Sequence, residues 1–143
     1  MPSYQTSVEV AAPPARVWDV TADVESWPGW SPTMDAVTRD DDGPIRPGST
    51  ARVRQPKLRP ATWVVDEVTP ERSFVWHTAG PGYRVMATHL LKSHPSAEDR
   101  TTVLLGVAMT GPLGPVLWAL TGRTARRYLD EEAAALKRRC ESA

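Results

Sequence analysis

Six strand-like segments between Met34 and Met109 follow one another so closely that no helix fits between any two of them. They are Met34–Arg39, the alternation Ala51, Val53, Gln55, the β-branched stretch Thr62–Val68, then Phe74–Thr78, Tyr83–Leu91 and Thr101–Met109. The breaks between them are turn-forming: Asp40-Asp41-Asp42-Gly43-Pro44, the KLRP run at Lys57, Thr69-Pro70-Glu71-Arg72, Ala79-Gly80-Pro81-Gly82 and the polar loop around His94-Pro95-Ser96. Parallel neighbours need a crossover of about a dozen residues or more, so hairpin spacing dictates an antiparallel meander.

What precedes and follows this meander decides how it is covered. Ser7–Val10 alternates polar and apolar residues and reads as a first strand, stopped by Pro13-Pro14. Pro14 suits the first turn of a short helix carrying Val17, Trp18, Val20 and Thr21 on its dry side. A second short helical turn from Asp23 is expected to end before Pro28, since a residue preceding proline is pushed out of helical geometry. It leads into Trp27-Pro28-Gly29-Trp30, a bend in which Pro fixes one φ and Gly permits a positive one. At the other end a long helix runs from about Pro115 to Cys140. Trp118, Ala125, Leu129, Ala133, Leu136 and Cys140 form one apolar stripe, with Leu117, Leu120 and Tyr128 beside it. The apolar run Gly111–Gly122 is broken by Pro and Gly and is too short to span a bilayer, which needs about 20 residues, so it reads as a buried helix start. Gly111, Gly114 and Gly122 are expected to leave that end loosely restrained.

The fold class is therefore α+β: a curved antiparallel sheet of about seven strands wrapped on a long C-terminal helix, with two short helices after the first strand. One helix cannot close a wide concave sheet, so a cavity is expected between them. The 143 residues suffice for one core and read as a single domain, 1–143. Lys plus Arg and Asp plus Glu both number 17, leaving no global field to draw the chain to nucleic acid or an anionic membrane. A single cysteine, Cys140, excludes an internal disulfide, and the first ten residues lack a basic start and an apolar core, so a cytoplasmic location is expected. Six tryptophans against one phenylalanine favour rigid apolar walls that each carry one hydrogen-bond donor.

Val8-Glu9-Val10-Ala11-Ala12-Pro13, Val17-Trp18-Asp19-Val20 and Asp23-Val24-Glu25-Ser26-Trp27-Pro28 resemble, in order and spacing, the polyketide cyclase/dehydrase and lipid-transport superfamily, also called SRPBCC or START-like helix-grip proteins. Gln55-Pro56, Thr62-Trp63, Phe74-Val75-Trp76, His89-Leu90-Leu91 and Gly111-Pro112-Leu113-Gly114 extend the likeness over nearly the whole chain. The resemblance implies a deep apolar cavity between sheet and helix that holds lipids, polyketides or other poorly soluble molecules. It also implies, for aromatase/cyclase members, a cavity arginine acting with hydroxyls and aromatics. Arg52 and Arg54 have the opposite parity to Val53 and so face water if Val53 faces the core.

Strand parity supplies the cavity list. With Trp63, Phe74 and Trp76 inward, the same faces carry Val65, Thr78, Val85, Ala87, His89, Leu91, Val103, Leu105, Val107 and Met109. The expected ligand-binding residues are Trp27, Trp30, Val53, Gln55, Trp63, Trp76, Thr78, Ala87, His89, Met109, Trp118 and Tyr128. Trp27 and Trp30 either pin the bend to the core or form the cavity lip. His89 reads as a satisfied core histidine, a ligand contact, or an acid or base, and no carboxylate near it in sequence orients it. No catalytic residue is assigned. Neither a metal nor a cofactor is expected, because three scattered histidines and a remote cysteine do not make a ligand set and no nucleotide fingerprint occurs. The expected partner is a small hydrophobic molecule, with no nucleic acid and no membrane span, on a monomer or homodimer. Binding of such a ligand and a cyclase or dehydrase activity through Gln55, Thr78, His89 or Tyr128 both remain open, as does a module whose interior is filled by its own side chains.

Overall fold

The computed structural model describes residues 2–94 and 96–142, so Pro95 of the expected polar loop lies outside the described residues. Strand β1 (Ser3–Val10) is followed by helix α1 (Pro14–Ala22) and a 3₁₀ segment (Val24–Gly29). The meander comprises β2 (Ala36–Arg39), β3 (Thr50–Arg54), β4 (Ala61–Thr69), β5 (Ser73–Gly80), β6 (Tyr83–His94) and β7 (Ala97–Thr110). Helix α2 (Gly114–Glu141) closes the chain; its 28 residues give a length of about 42 Å. The seven strands form one antiparallel sheet in the order β1-β7-β6-β5-β4-β3-β2. Among the described residues no helix is long and apolar enough to cross a membrane.

Strands β6 and β7 run further than the apolar pattern suggests. Lys92 pairs with Thr102, Ser93 with Thr101 and His94 with Ala97, because ladder hydrogen bonds join backbones whatever the side chains. In β4 the register shifts between Val65 and Glu67, a bulge that lets Val65 and Val68 both pack inward although strict alternation would separate them. Arg52 and Arg54 are exposed while Ala51 and Val53 are buried, as parity requires.

The bend departs from expectation in two ways. Pro28 lies inside the 3₁₀ segment, where Trp27 O accepts the N–H groups of both Trp30 and Ser31, so Pro28 occupies the second position of a turn that asks no donor of it. Gly29 is not among the positive-φ glycines, and the turn therefore does not use the freedom that Gly offers. Gly43, after Asp42, does adopt a positive φ of 80°.

The start of α2 also differs. Gly111, at φ 98°, sits so close to the β5–β6 turn that an added Cβ would come within 2.5 Å of Gly82 O, and Gly114 and Gly122 press on Met109 and on the Trp118 ring. These glycines permit close packing rather than looseness. The helix start is not buried: Leu113, Val116 and Leu120 are 47%, 58% and 76% exposed. Leu120 lies two hundred degrees around the helix from Trp118 at about 100° per residue, on the wet side rather than beside the dry stripe.

Two packed clusters share the concave side. One joins Val10, Val17, Val20, Leu91, Val103 and Leu105 to Ala133, Leu136 and Cys140 of α2. The other joins Val24 and Trp27 to Val37, Val53, Val65, Phe74 and Trp76. Helix α2 therefore packs over β1 and β7, and the 3₁₀ segment packs over β2.

Candidate functional site

The expected site residues fall into one aromatic chain and several flanking positions. Trp27 is 2% exposed, and its indole N–H donates to Thr21 O at 3.1 Å, which fixes the bend to the end of α1. Its ring meets Trp30 edge-on at 6.3 Å, Trp76 at 5.4 Å and His89 at 5.6 Å. Trp76 in turn meets Trp63 at 5.3 Å. Trp27 is thus the pin, and the half-buried Trp30 lies outside it. Ala87 pairs with Trp76, and Thr78 pairs with Val85, which pairs with Met109. Val53 is buried on β3, and Gln55 donates its amide to Thr33 O at 3.2 Å. On α2, the Tyr128 hydroxyl donates to Pro56 O, tying the helix to the β3–β4 loop. Trp118 stands apart from the aromatic chain, with the Arg126 guanidinium 5.9 Å from its ring.

Exposure changes along the concave face. Toward α1, the inward residues Phe74, Leu91, Val103 and Leu105 are fully buried. Toward the end where β5 turns into β6, the inward residues Trp63, Thr78, Val85, Ala87 and Val107 are only half-buried, as is Trp118 on the helix. A side chain that points at the covering layer yet still touches solvent has a gap in front of it. Cover of the concave face is therefore incomplete at this end, with a gap beside Trp63, Thr78, Val85, Ala87 and Val107, whereas Met109 next to them is buried against Gly114 in the first turn of α2.

At the inner limit of that gap lies the feature that sequence reasoning missed. His89 Nε2 and Glu132 Oε1 are 3.6 Å apart, and both residues are buried. His89 Nδ1 is 3.3 Å from Phe74 O; a carbonyl only accepts, so Nδ1 carries the proton and Nε2 is left facing the carboxylate. Phe74 stacks on the imidazole at 4.9 Å and 14°. The signal was present in the helix: Tyr128, Glu132 and Leu136 are spaced i, i+4, i+8, placing Glu132 on the inward side.

A second residue missed is Arg39. It shares the inward parity of Val37 on β2, and its guanidinium is held by Asp41 at 3.0 Å and by Gly43 O at 2.6 Å. It lines a surface cleft of about 260 Å³ between α1, the β2–β3 loop and the β4–β5 turn, walled by Trp18, Ala22, Ile45, Val68 and Pro70. Arg39 and Ile45 also line a narrow crevice that reaches Phe74 and Trp76. None of the twelve expected site residues lines the outer cleft. Among the described residues no three His, Cys, Asp or Glu side chains gather as a metal site requires.

With this geometry in view, residues 1–141 match the family described as polyketide cyclase / dehydrase and lipid transport. The chain belongs to that family. Solved structures share its fold at low identity. The Zhui aromatase/cyclase from Streptomyces sp. R1128 is 18% identical, with 99% of this chain and 96% of that one covered and a TM-score of 0.70. A START superfamily protein from Mycobacterium smegmatis is 20% identical, covering 97% of each chain at a TM-score of 0.70. The di-domain aromatase/cyclase BexL of the BE-7585A biosynthetic pathway is 21% identical over 96% of this chain and 46% of its own, with a TM-score of 0.70. Among curated proteins no sequence matches. As a member of the polyketide cyclase/dehydrase and lipid transport family, the chain shows that family's START-like arrangement of open sheet and terminal helix.

Proposed function

We propose that this protein binds a small hydrophobic molecule in the gap between the sheet and α2. The supporting observation is the half-exposure of Trp63, Thr78, Val85, Ala87 and Val107 on the inward face of the sheet, with Trp118 on α2 also half-buried. A ligand seated there would cover these apolar surfaces, and at about 25 cal/mol per Å² of buried apolar area a small polycyclic or acyl group reaches micromolar affinity without further chemistry. Trp27, Trp30, Val53, Gln55, Trp76, Met109 and Tyr128 complete the proposed lining. His89 and Glu132 are placed to receive one polar group of the ligand at the inner limit. The test is native mass spectrometry of the protein from its own host, together with displacement of anilinonaphthalene sulfonate. A bound small molecule, or dye binding lost in Ala87→Trp, supports the reading; a protein that carries nothing and binds dye equally well before and after that filling substitution overturns it.

A second reading, a cyclase or dehydrase-type enzyme, is favoured by the His89–Glu132 pair. A fixed tautomer with Nε2 free to take and return a proton suits general acid–base work on a ketone-bearing substrate, with Gln55, Thr78 and Tyr128 as orienting groups. Full turnover of a polyketone substrate by His89→Ala would remove it.

A further inference from the structure

We infer that the end of the molecule carrying the start of α2 docks on an anionic lipid surface, an inference that goes beyond the ligand reading and does not depend on it. The chain is neutral overall, yet one end of the fold carries an excess of exposed cations. The β3–β4 loop, the β5–β6 turn and the β7–α2 connection lie at one end of the sheet, because successive antiparallel strands turn alternately at opposite ends. Exposed cations at or beside these connections are Arg54, Lys57, Arg59, Arg84 and Arg123, against the carboxylates of Asp35 and of Asp66, which lies 4.0 Å from Arg84. Arg54, Lys57, Arg59 and Arg123 form no ion pair among the described residues. The opposite end is mixed: Asp40, Asp41, Asp42, Glu71, Glu98 and Asp99 are interspersed with Arg39, Arg46, Arg52, Arg72, Lys92 and Arg100, and Asp40 and Asp41 are ion-paired with Arg52, Arg39 and Arg46.

Protruding from the cationic end is an apolar prong. Leu113, Val116 and Leu120 are spaced i, i+3, i+7 and so share one side of the helix start, where they are 47%, 58% and 76% exposed. The prong is held rigidly: Leu113 N–H donates to Gly82 O at 2.9 Å, and the Leu113 side chain covers Gly82. Arg123 continues the same outer side one turn on, followed by Arg127, which is paired with Glu131 at 3.7 Å. Three exposed aliphatic side chains on one side of a helix start, with cations flanking them, fit a fluid layer with acidic headgroups. A second copy of the chain fits poorly, since a two-fold contact through this patch would set Arg123 and its neighbours against themselves. The same end carries the open side of the concave face, so docking would bring that opening to the lipid.

The test is co-sedimentation with vesicles of phosphatidylcholine alone and with roughly 30% phosphatidylglycerol added. The protein is expected on the anionic vesicles only, released by salt at about 0.5 M, where charges are screened beyond about 4 Å. The double variant Val116→Asp/Leu120→Asp should lower the bound fraction at least about tenfold, and Lys57→Glu/Arg123→Glu several-fold. All four positions are exposed, and unchanged circular dichroism and urea midpoints establish that the variants fold. Absence of vesicle binding by the unaltered protein, equal binding by Val116→Asp/Leu120→Asp, or a stable dimer in sedimentation that this variant dissolves would each overturn the inference. Because sedimentation needs no interior ligand, its failure leaves the ligand proposal standing, and failure of that proposal leaves docking standing.

Discussion

The imidazole of His89 on β6 and the carboxylate of Glu132 on α2 face each other across 3.6 Å, inside an interior otherwise walled by indoles and aliphatic chains. They tie the sheet to the helix at a single polar contact. Replacing Glu132 by Leu leaves Nε2 buried without its partner and should destabilise the fold by roughly 3 kcal/mol, as breaking a buried pair does. The double change His89→Phe/Glu132→Leu removes both polar groups and should be more stable than either single variant. Urea denaturation of the four proteins in a double-mutant cycle measures this.

Trp27 and Trp30 are separated by two residues yet differ in burial, and their truncations should differ accordingly. Trp27→Ala empties a site in contact with Phe74, Trp76 and His89 and forfeits the bond to Thr21 O, for an expected loss of about 3–5 kcal/mol. Trp30→Ala removes a half-exposed ring and should cost about 1 kcal/mol. Equal losses would show that the bend is not fastened by Trp27.

Glu141 fastens the end of α2 to the connection between β1 and α1. Its carboxylate accepts the Ala11 N–H at 2.8 Å, and Lys137 lies at 2.7 Å; these two contacts hold its pKa below the ordinary 4.5. Between the folded and unfolded values the unfolded chain binds more protons, so the stabilisation is complete above the ordinary value and fades as pH falls through the lower folded one. Glu141→Gln should flatten the acid side of a plot of Tm against pH and leave its neutral side lower but parallel. An acid limb unchanged in slope would refute the linkage.

Cys140 is packed beneath α1, and burial raises its thiol to about 11. Near pH 8 the thiolate is then about a hundredfold scarcer than for a thiol at 9, and access is blocked as well. Iodoacetamide should leave the folded protein unmodified over hours and label it quickly in urea, read by mass spectrometry. Rapid labelling of the folded chain would place Cys140 outside the core.

Much of this architecture is legible in residue patterns because strand parity and turn chemistry are local. Alternation at Phe74, Trp76 and Thr78, or at Val85, Ala87 and His89, identifies the inward face before any contact is known. The bulge at Asp66 was not legible, since nothing in Val64-Val65-Asp66-Glu67 distinguishes a register shift from regular alternation. Glu132 escaped because its partner lies on another element, though its place in the helical spacing was visible. The exposure of Leu113, Val116 and Leu120 was hidden for a different reason: an apolar run defaults to the core unless the helix is known to outreach the sheet at that point.

The order of strands has a kinetic consequence. β1 is made first but pairs only with β7, as in Ser3 with Ala108 and Val10 with Thr101, while β2, next among the strands in the chain, lies at the far margin of the sheet. A growing chain can therefore zip β2 through β7 hairpin by hairpin, yet β7 keeps an unpaired rim until the leading segment swings back across the whole width to meet it. On a ribosome that rim is the stretch most open to wrong partners, and the arrival of β1 is the event that seals it.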